Sequence, residues 1–165
     1  MNKEKFRLDM QGAIFDLDGT LFDSMWVWNQ VDLDFLGKRG FEVPDDYTKA
    51  IAHMDAHRTA RYTIDRFGLN EDIDDIVNEW FEMAKDKYAY DVICKQGAYE
   101  YVEKLHNQGV KIAIATSSDK VLFEKTLERT GLNKFIDAVV MVKEVNKGKS
   151  HPDVYLEAAR RLGTN

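Results

Sequence analysis

Three aspartates crowd one short segment of the sequence, IFDLDGTLFDS at residues 14–24, directly after an apolar run. Asp16 and Asp18 are two residues apart, so an extended or loop conformation lets both face one cavity. Gly19 permits a sharp turn, and Thr20 can hydrogen-bond back to fix it. A hard cation such as Mg²⁺ would neutralise the repulsion, and a carboxylate beside it can attack phosphorus as a nucleophile. The alternative is an ordinary turn, in which Asp-Gly is common.

Two other segments place polar side chains directly after apolar runs. Hydroxyls at 116–118 follow the run 110–115, and the segment 143–149, which ends at Lys149, follows the run 136–142. Free N–H groups and a hydroxyl at a helix N-terminus make an anion site, and a lysine supplies a point cation for phosphate. The alternatives are simple helix capping for the hydroxyls and a solvated loop position for the lysine. Because ligands bind beyond the carboxyl ends of parallel strands, these groups and Asp16 are expected at one place.

The elements that position these groups form an alternating pattern. Short apolar runs rich in β-branched residues predict buried parallel strands at 12–15, 110–115 and 136–142. Amphipathic patterns ending at glycines predict helices at 98–105, 121–130 and 154–162. Strand and helix therefore alternate, as they do in right-handed βαβ units, and the fold class is α/β.

A helical insertion separates the first strand from the second. Val27, Val31 and Phe35 recur at the spacing of one helix face. Further helices are predicted at 47–51, 57–67 and 72–88. The segment from residue 22 to about 90 is thus expected to be almost wholly helical.

Composition limits the function. A net charge of -6 over 165 residues gives no surplus of positive charge for binding nucleic acid. The single cysteine excludes an internal disulfide framework and fits a reducing compartment. The first twelve residues lack the apolar core of a secretion signal, and no apolar run is long enough to span a membrane. We therefore expect a cytoplasmic protein.

The three polar segments resemble three motifs of the haloacid dehalogenase (HAD) superfamily, in order and over nearly the whole chain. Residues 15–21, FDLDGTL, resemble the first motif, and the strand ending at Thr116 resembles the second. Residues 148–153, GKSHPD, resemble the third motif of the β-phosphoglucomutase-like subgroup, with Ser150 in place of a common proline. The resemblance implies a Rossmannoid parallel sheet carrying an inserted helical cap domain.

The resemblance also implies roles for individual residues. Asp16 would be the nucleophile that becomes an aspartyl-phosphate, and Asp18 would protonate the leaving group and then activate water. Asp16 would hold Mg²⁺ through its carboxylate, and Asp18 would hold it through its backbone carbonyl. Thr116 and Ser117 would bind the phosphoryl oxygens, and Lys149 would balance their charge.

Substrate choice in the subgroup resides largely in the cap. The resemblance implies a core domain of 1–21 with 92–165 and a cap domain of 22–91. His53 and Arg58 are the candidate substrate residues between two cap helices. Solvated side chains are the alternative, because the glycine-rich specificity turn of related mutases is missing here.

The fourth motif, a further strand ending in acidic residues that complete the Mg²⁺ site, is missing from the sequence. We therefore interpret the chain as truncated before that motif, which leaves the sheet incomplete. Weak Mg²⁺ binding and self-association through an exposed sheet edge are the expected consequences.

The expected function is a Mg²⁺-dependent phosphatase that acts on a small phosphorylated metabolite through an aspartyl-phosphate. A sugar-phosphate mutase of the β-phosphoglucomutase type is the first alternative, because it would use the same site while excluding water. The second alternative is a non-catalytic fragment or scaffold that keeps the site without turnover.

Overall fold

The computed structural model describes residues 10–164. The expectation that no secretion signal begins the chain concerns residues 1–12 and falls mostly outside the described residues. The chain forms two compact units, one built from the segments up to Asp23 and from Ile93 onward, the other from Ser24–Val92. The sequence predicts a core domain of residues 1–21 with 92–165 and a cap domain of residues 22–91. That these units act as a core and a cap stays a prediction.

The first unit is α/β and contains a three-stranded parallel sheet. Its strands are β1 (Gly12–Phe15), β4 (Lys111–Thr116) and β5 (Ala138–Met141), in the order β1-β4-β5. The predicted α/β class with a parallel sheet is confirmed. The third predicted strand was too long, because Val142 begins a 3₁₀ helix, Val142–Glu144, that turns the chain away from the sheet.

A second, two-stranded antiparallel sheet was not predicted. It pairs β2 (Phe22–Asp23) with β3 (Ile93–Cys94). Two residues are too few for alternation of apolar and polar side chains to be visible in a sequence. The expectation that the helical segment begins at Phe22 was therefore wrong, since this residue lies in a strand of the first unit.

Helices α5 (Ala98–Asn107) and α7 (Asp153–Leu162) pack on the parallel sheet, whereas α6 (Lys120–Thr130) contacts β3. Side chains of β4 alternate between the two faces of the sheet. Ala113 and Ala115 lie in one apolar cluster with Val154, Ala158 and Leu162 of α7. The intervening side chains, Ile112 and Ile114, are fully buried on the other face. The central strand is thus covered on both faces, which explains its continuous apolar run.

The outer edge of β5 is closed by side chains. Arg161 donates a hydrogen bond of 2.7 Å to the carbonyl of Val139, and Glu144 accepts one of 3.1 Å from the N–H of Met141. Arg161 and Glu144 also pair with each other at 2.5 Å, and this hydrogen bond holds the pKa of Glu144 below its ordinary value. Covered backbone groups make this edge a poor template for another strand. Self-association through the other edge, that of β1, stays a prediction.

The second unit is helical. It contains α1 (Val27–Lys38), α2 (Tyr47–Ile51), α3 (Ala56–Phe67) and α4 (Ile73–Tyr90). Asp55 and Asp72 accept backbone N–H groups of the first turns of α3 and α4, as good N-caps do. Phe35 packs edge-on against Trp80, and the Tyr47 hydroxyl meets that of Thr63 at 2.7 Å. No helix within residues 10–164 has the length and apolar character needed to cross a bilayer.

Candidate active site

A tight turn follows β1 and carries the first two aspartates. The carbonyl of Leu17 accepts the backbone N–H groups of Thr20, Leu21 and Phe22 at 2.9 to 3.1 Å. Gly19 has φ +72°, a left-handed conformation that glycine adopts without steric cost. The turn reverses the chain within a few residues, so that Asp16 and Asp18 flank the buried Leu17.

Asp16 lies directly beyond the carboxyl end of β1 and forms an ion pair with Lys149. Its Oδ1 atom accepts the N–H of Leu17 at 2.8 Å and lies 2.5 Å from the Nζ atom of Lys149. The carboxylate side chain is 41% exposed. The carboxylate is therefore held by two contacts and is still partly exposed to solvent.

Asp18 is bound by a residue that follows β4. The hydroxyl of Ser118 donates a hydrogen bond to the Oδ2 atom of Asp18, and the two residues are 100 positions apart in the sequence. The N–H of Ser118 in turn donates to the Oγ1 atom of Thr116 at 3.0 Å. Thr116 is the last residue of β4 and is fully buried. The loops after β1 and β4 are thus joined through side chains.

The predicted site residues meet in part. The structure brings Lys149 to Asp16, as the convergence of strand ends requires, and places Thr116 at the neighbouring strand end. Ser117 is exposed beside it. His53 and Arg58 are exposed on the helical unit, where the Nε atom of Arg58 lies 3.8 Å from Asp55. Their substrate role stays a prediction.

Sequence reasoning did not assign two of the contacts. Ser118 was grouped with the hydroxyls after β4 but was given no partner, although a threonine two residues earlier is the pattern of a hydroxyl-bonded turn. Lys143 pairs with Asp119 and so joins the loops after β5 and β4. No signal in the sequence separates this lysine from its neighbours, because partner choice depends on how the loops fold.

The donor atoms of the turn suit a hard cation. Asp16 offers a carboxylate oxygen and Asp18 a backbone carbonyl oxygen, and Mg²⁺ in proteins is commonly bound by one or two carboxylates together with other oxygen ligands, water and substrate phosphate. Among residues 10–164, no group of three or more His, Cys, Asp or Glu side chains is arranged to hold a metal ion. The two aspartates therefore fit a site whose remaining ligands are water and substrate oxygens.

Comparison with known families identifies the class of protein. Residues 13–165 match the family of haloacid dehalogenase-like hydrolases. The chain belongs to this family, and the resemblance drawn from its three motifs is confirmed.

Individual relatives support the same family. The chain is 30% identical to Protein SUPPRESSOR OF QUENCHING 1, chloroplastic, of Arabidopsis thaliana over 93% of its own length and 15% of that protein. It is 26% identical to Hexitol phosphatase B of Escherichia coli strain K12, over 93% of its length and 70% of that protein. A crystal structure from Thermotoga maritima, described as a candidate beta-phosphoglucomutase, superimposes with a TM-score of 0.85 at 22% identity. That match covers 94% of this chain and 72% of the other, and it shows the fold.

Proposed function

We propose that the protein is a Mg²⁺-dependent phosphatase that acts on a small phosphorylated metabolite through an aspartyl-phosphate. The observation that carries the proposal is the ion pair of 2.5 Å between Asp16 and Lys149 at the end of β1. It combines a nucleophilic carboxylate with a cation able to hold a phosphoryl group beside it. The similarity to Hexitol phosphatase B supports a phosphorylated carbohydrate or polyol as the substrate class.

In the first step an oxygen of Asp16 forms a bond to phosphorus, and the bond from phosphorus to the substrate oxygen breaks. Asp18 gives its proton to that departing oxygen. Lys149 and the hydroxyl of Thr116 contact the phosphoryl oxygens and stabilise their charge as it redistributes. Bound Mg²⁺, held by the carboxylate of Asp16 and the backbone carbonyl of Asp18, would supply further neutralisation of the phosphoryl charge.

In the second step Asp18, now ionised, takes a proton from water while the water oxygen bonds to phosphorus. The bond between phosphorus and Asp16 breaks, which releases inorganic phosphate and restores the free carboxylate. The 41% exposure of the Asp16 side chain supports the role of this residue as the nucleophile, because an attacking oxygen must have open space in front of it.

The test is a single-turnover assay with para-nitrophenyl phosphate and Mg²⁺, comparing the protein with Asp16→Asn. We expect phosphate release from the protein, loss of at least about 1000-fold in the variant, and a trapped phosphoryl adduct on Asp16 in acid-quenched peptides. Equal rates in the two proteins would remove the catalytic function and favour the scaffold alternative. Incubation with β-glucose 1-phosphate separates the remaining alternative, since glucose 6-phosphate as product would indicate a mutase.

A further inference from the structure

The hydrogen bond between Ser118 and Asp18 lies next to the proposed chemistry but has no part in the roles described above. Ser118 is half-buried and belongs to the loop between β4 and α6. Its hydroxyl reaches the Oδ2 atom of Asp18 across from the neighbouring strand end. A contact between two loops so distant in sequence needs both loops to be held in place.

The loop after β4 is held by Thr116. The backbone of this residue lies in the ladder with Met141, and its side chain is completely buried. Its Oγ1 atom accepts the N–H of Ser118 at 3.0 Å, which fixes the backbone of Ser118 two residues on. A hydroxyl oxygen that accepts this bond still has its own hydrogen to donate. Thr116 can therefore fix Ser118 and bind a phosphoryl oxygen at the same time.

A serine suits an acid–base partner better than a charged side chain does. A hydroxyl can donate a hydrogen bond to an ionised carboxylate, and after rotation it can accept a hydrogen bond from a protonated carboxyl group. Asp18 would be protonated before the first proposed step and ionised before the second. Ser118 can keep its contact in both states, whereas an ammonium group would favour only the ionised form.

We propose that Ser118 is a positioning residue that holds the carboxyl group of Asp18 in the orientation from which it transfers protons. The assignment rests on the proposed phosphatase function and adds a residue to it. Ser118 acts through Asp18 and takes no proton itself. Because misplacement of a catalytic group lowers the rate of the chemical step, loss of the hydroxyl is expected to lower kcat and leave KM nearly unchanged.

The experiment measures kcat and KM for para-nitrophenyl phosphate with Mg²⁺ in matched variants. Ser118→Val should lower kcat roughly 10- to 100-fold, and Ser118→Thr, which has nearly the same shape but keeps the hydroxyl, should restore most of it. Thr48→Ala, at an exposed hydroxyl residue of α2 in the helical unit, should leave both constants unchanged. Circular dichroism and urea unfolding of each variant verify that it folds. If Ser118→Val unfolds, Ser118→Ala replaces it in the comparison with Ser118→Thr.

A double-mutant cycle with Asp18→Asn shows whether Ser118 acts through Asp18. Once the acid–base carboxyl is gone, replacing Ser118 should lower the residual rate by less than about twofold. An equal loss in both backgrounds, or a raised KM with unchanged kcat, would overturn the assignment and make Ser118 a substrate-binding residue. Failure of the phosphatase function itself would be distinguishable, because Asp16→Asn would then release phosphate as fast as the unaltered protein.

Discussion

Charged side chains have different surroundings in the two units of the molecule. In the α/β unit, Asp16 and Lys149 come from loops far apart in sequence and meet at a strand end, with the carboxylate still 41% exposed. In the helical unit, Arg39 lies 3.6 Å above the ring of Phe35 and donates to both Glu71 and Glu79. The Asp16–Lys149 pair is partly exposed to solvent. The Arg39 cluster, by contrast, connects the end of α1 with Glu71 and with Glu79 of α4.

The difference indicates what each cluster contributes. An exposed ion pair adds little to stability, so the Asp16–Lys149 pair is better explained by chemistry than by folding. The side chain of Arg39 is only 17% exposed, and hydrogen bonds from it hold the pKa values of Glu71 and Glu79 below their ordinary range. Planar stacking and paired donors are features that arginine supplies and lysine does not. Substitutions of Asp16 or Lys149 should therefore affect activity, whereas substitution of Arg39 should affect the free energy of unfolding.

The largest effect is expected for Lys149→Ala. Removing the cation should lower the rate of phosphate release from para-nitrophenyl phosphate by at least about 100-fold, because Lys149 supplies the side-chain positive charge that lies beside Asp16. The free energy of unfolding should change by less than about 1 kcal/mol. Lys147→Ala is the matched control, since this exposed lysine of the same loop is expected to change neither property. A rate loss shared by the control, or a large loss of stability in Lys149→Ala, would contradict the distinction between the two clusters.

A smaller effect on a different property is expected for Arg39→Ala. The substitution removes the contact with Phe35 and leaves two neighbouring carboxylates without their shared cation. We expect a loss of about 2 kcal/mol in the free energy of unfolding, measured by the urea midpoint. Arg61→Ala, on the exposed side of α3, should cost less than about 0.5 kcal/mol. Equal urea midpoints for the two variants would show that the contacts of Arg39 do not contribute to the stability of the protein.

The sequence predicted the strands and helices of the fold better than it predicted the contacts between side chains. The apolar runs of β1, β4 and β5 are long and regular enough to indicate buried strands, and the motif around Asp16 indicated the chemistry. Strands β2 and β3 are too short to leave a pattern. The partners of Arg39 and Ser118 could not be predicted, because each depends on how separate segments fold against each other. Helix ends were predicted more closely, since capping aspartates and terminal glycines act locally.

Substitutions of Asp32 and Asp34 are expected to change stability least. Both residues lie in α1, where one carboxyl group is buried and the other is paired with a lysine. Burial raises the pKa of Asp32 from 3.8 to about 6, and no hydrogen bond from residues 10–164 offsets it. Burial also raises the pKa of the neighbouring Tyr47 to about 12, with a further rise from the charge of Asp32. Asp34, by contrast, pairs with Lys87 at 2.6 Å, and this hydrogen bond lowers its pKa.

The two carboxyl groups therefore predict opposite dependences of stability on pH. Between about pH 4 and pH 6 the folded protein holds a proton on Asp32 that the unfolded chain has lost, so this residue makes stability fall as pH rises. Asp32→Asn should remove that fall and raise the free energy of unfolding at pH 7 by about 1 to 2 kcal/mol, after allowance for solvent screening. Asp34→Asn should lower it, because the contribution of Asp34 is present at neutral pH and is lost as pH falls. Urea unfolding at several pH values tests both signs. If the free energy of unfolding of Asp32→Asn depended on pH as that of the unaltered protein does, another group would bind the proton. The carboxylate of Asp32 would then be hydrated in the folded protein.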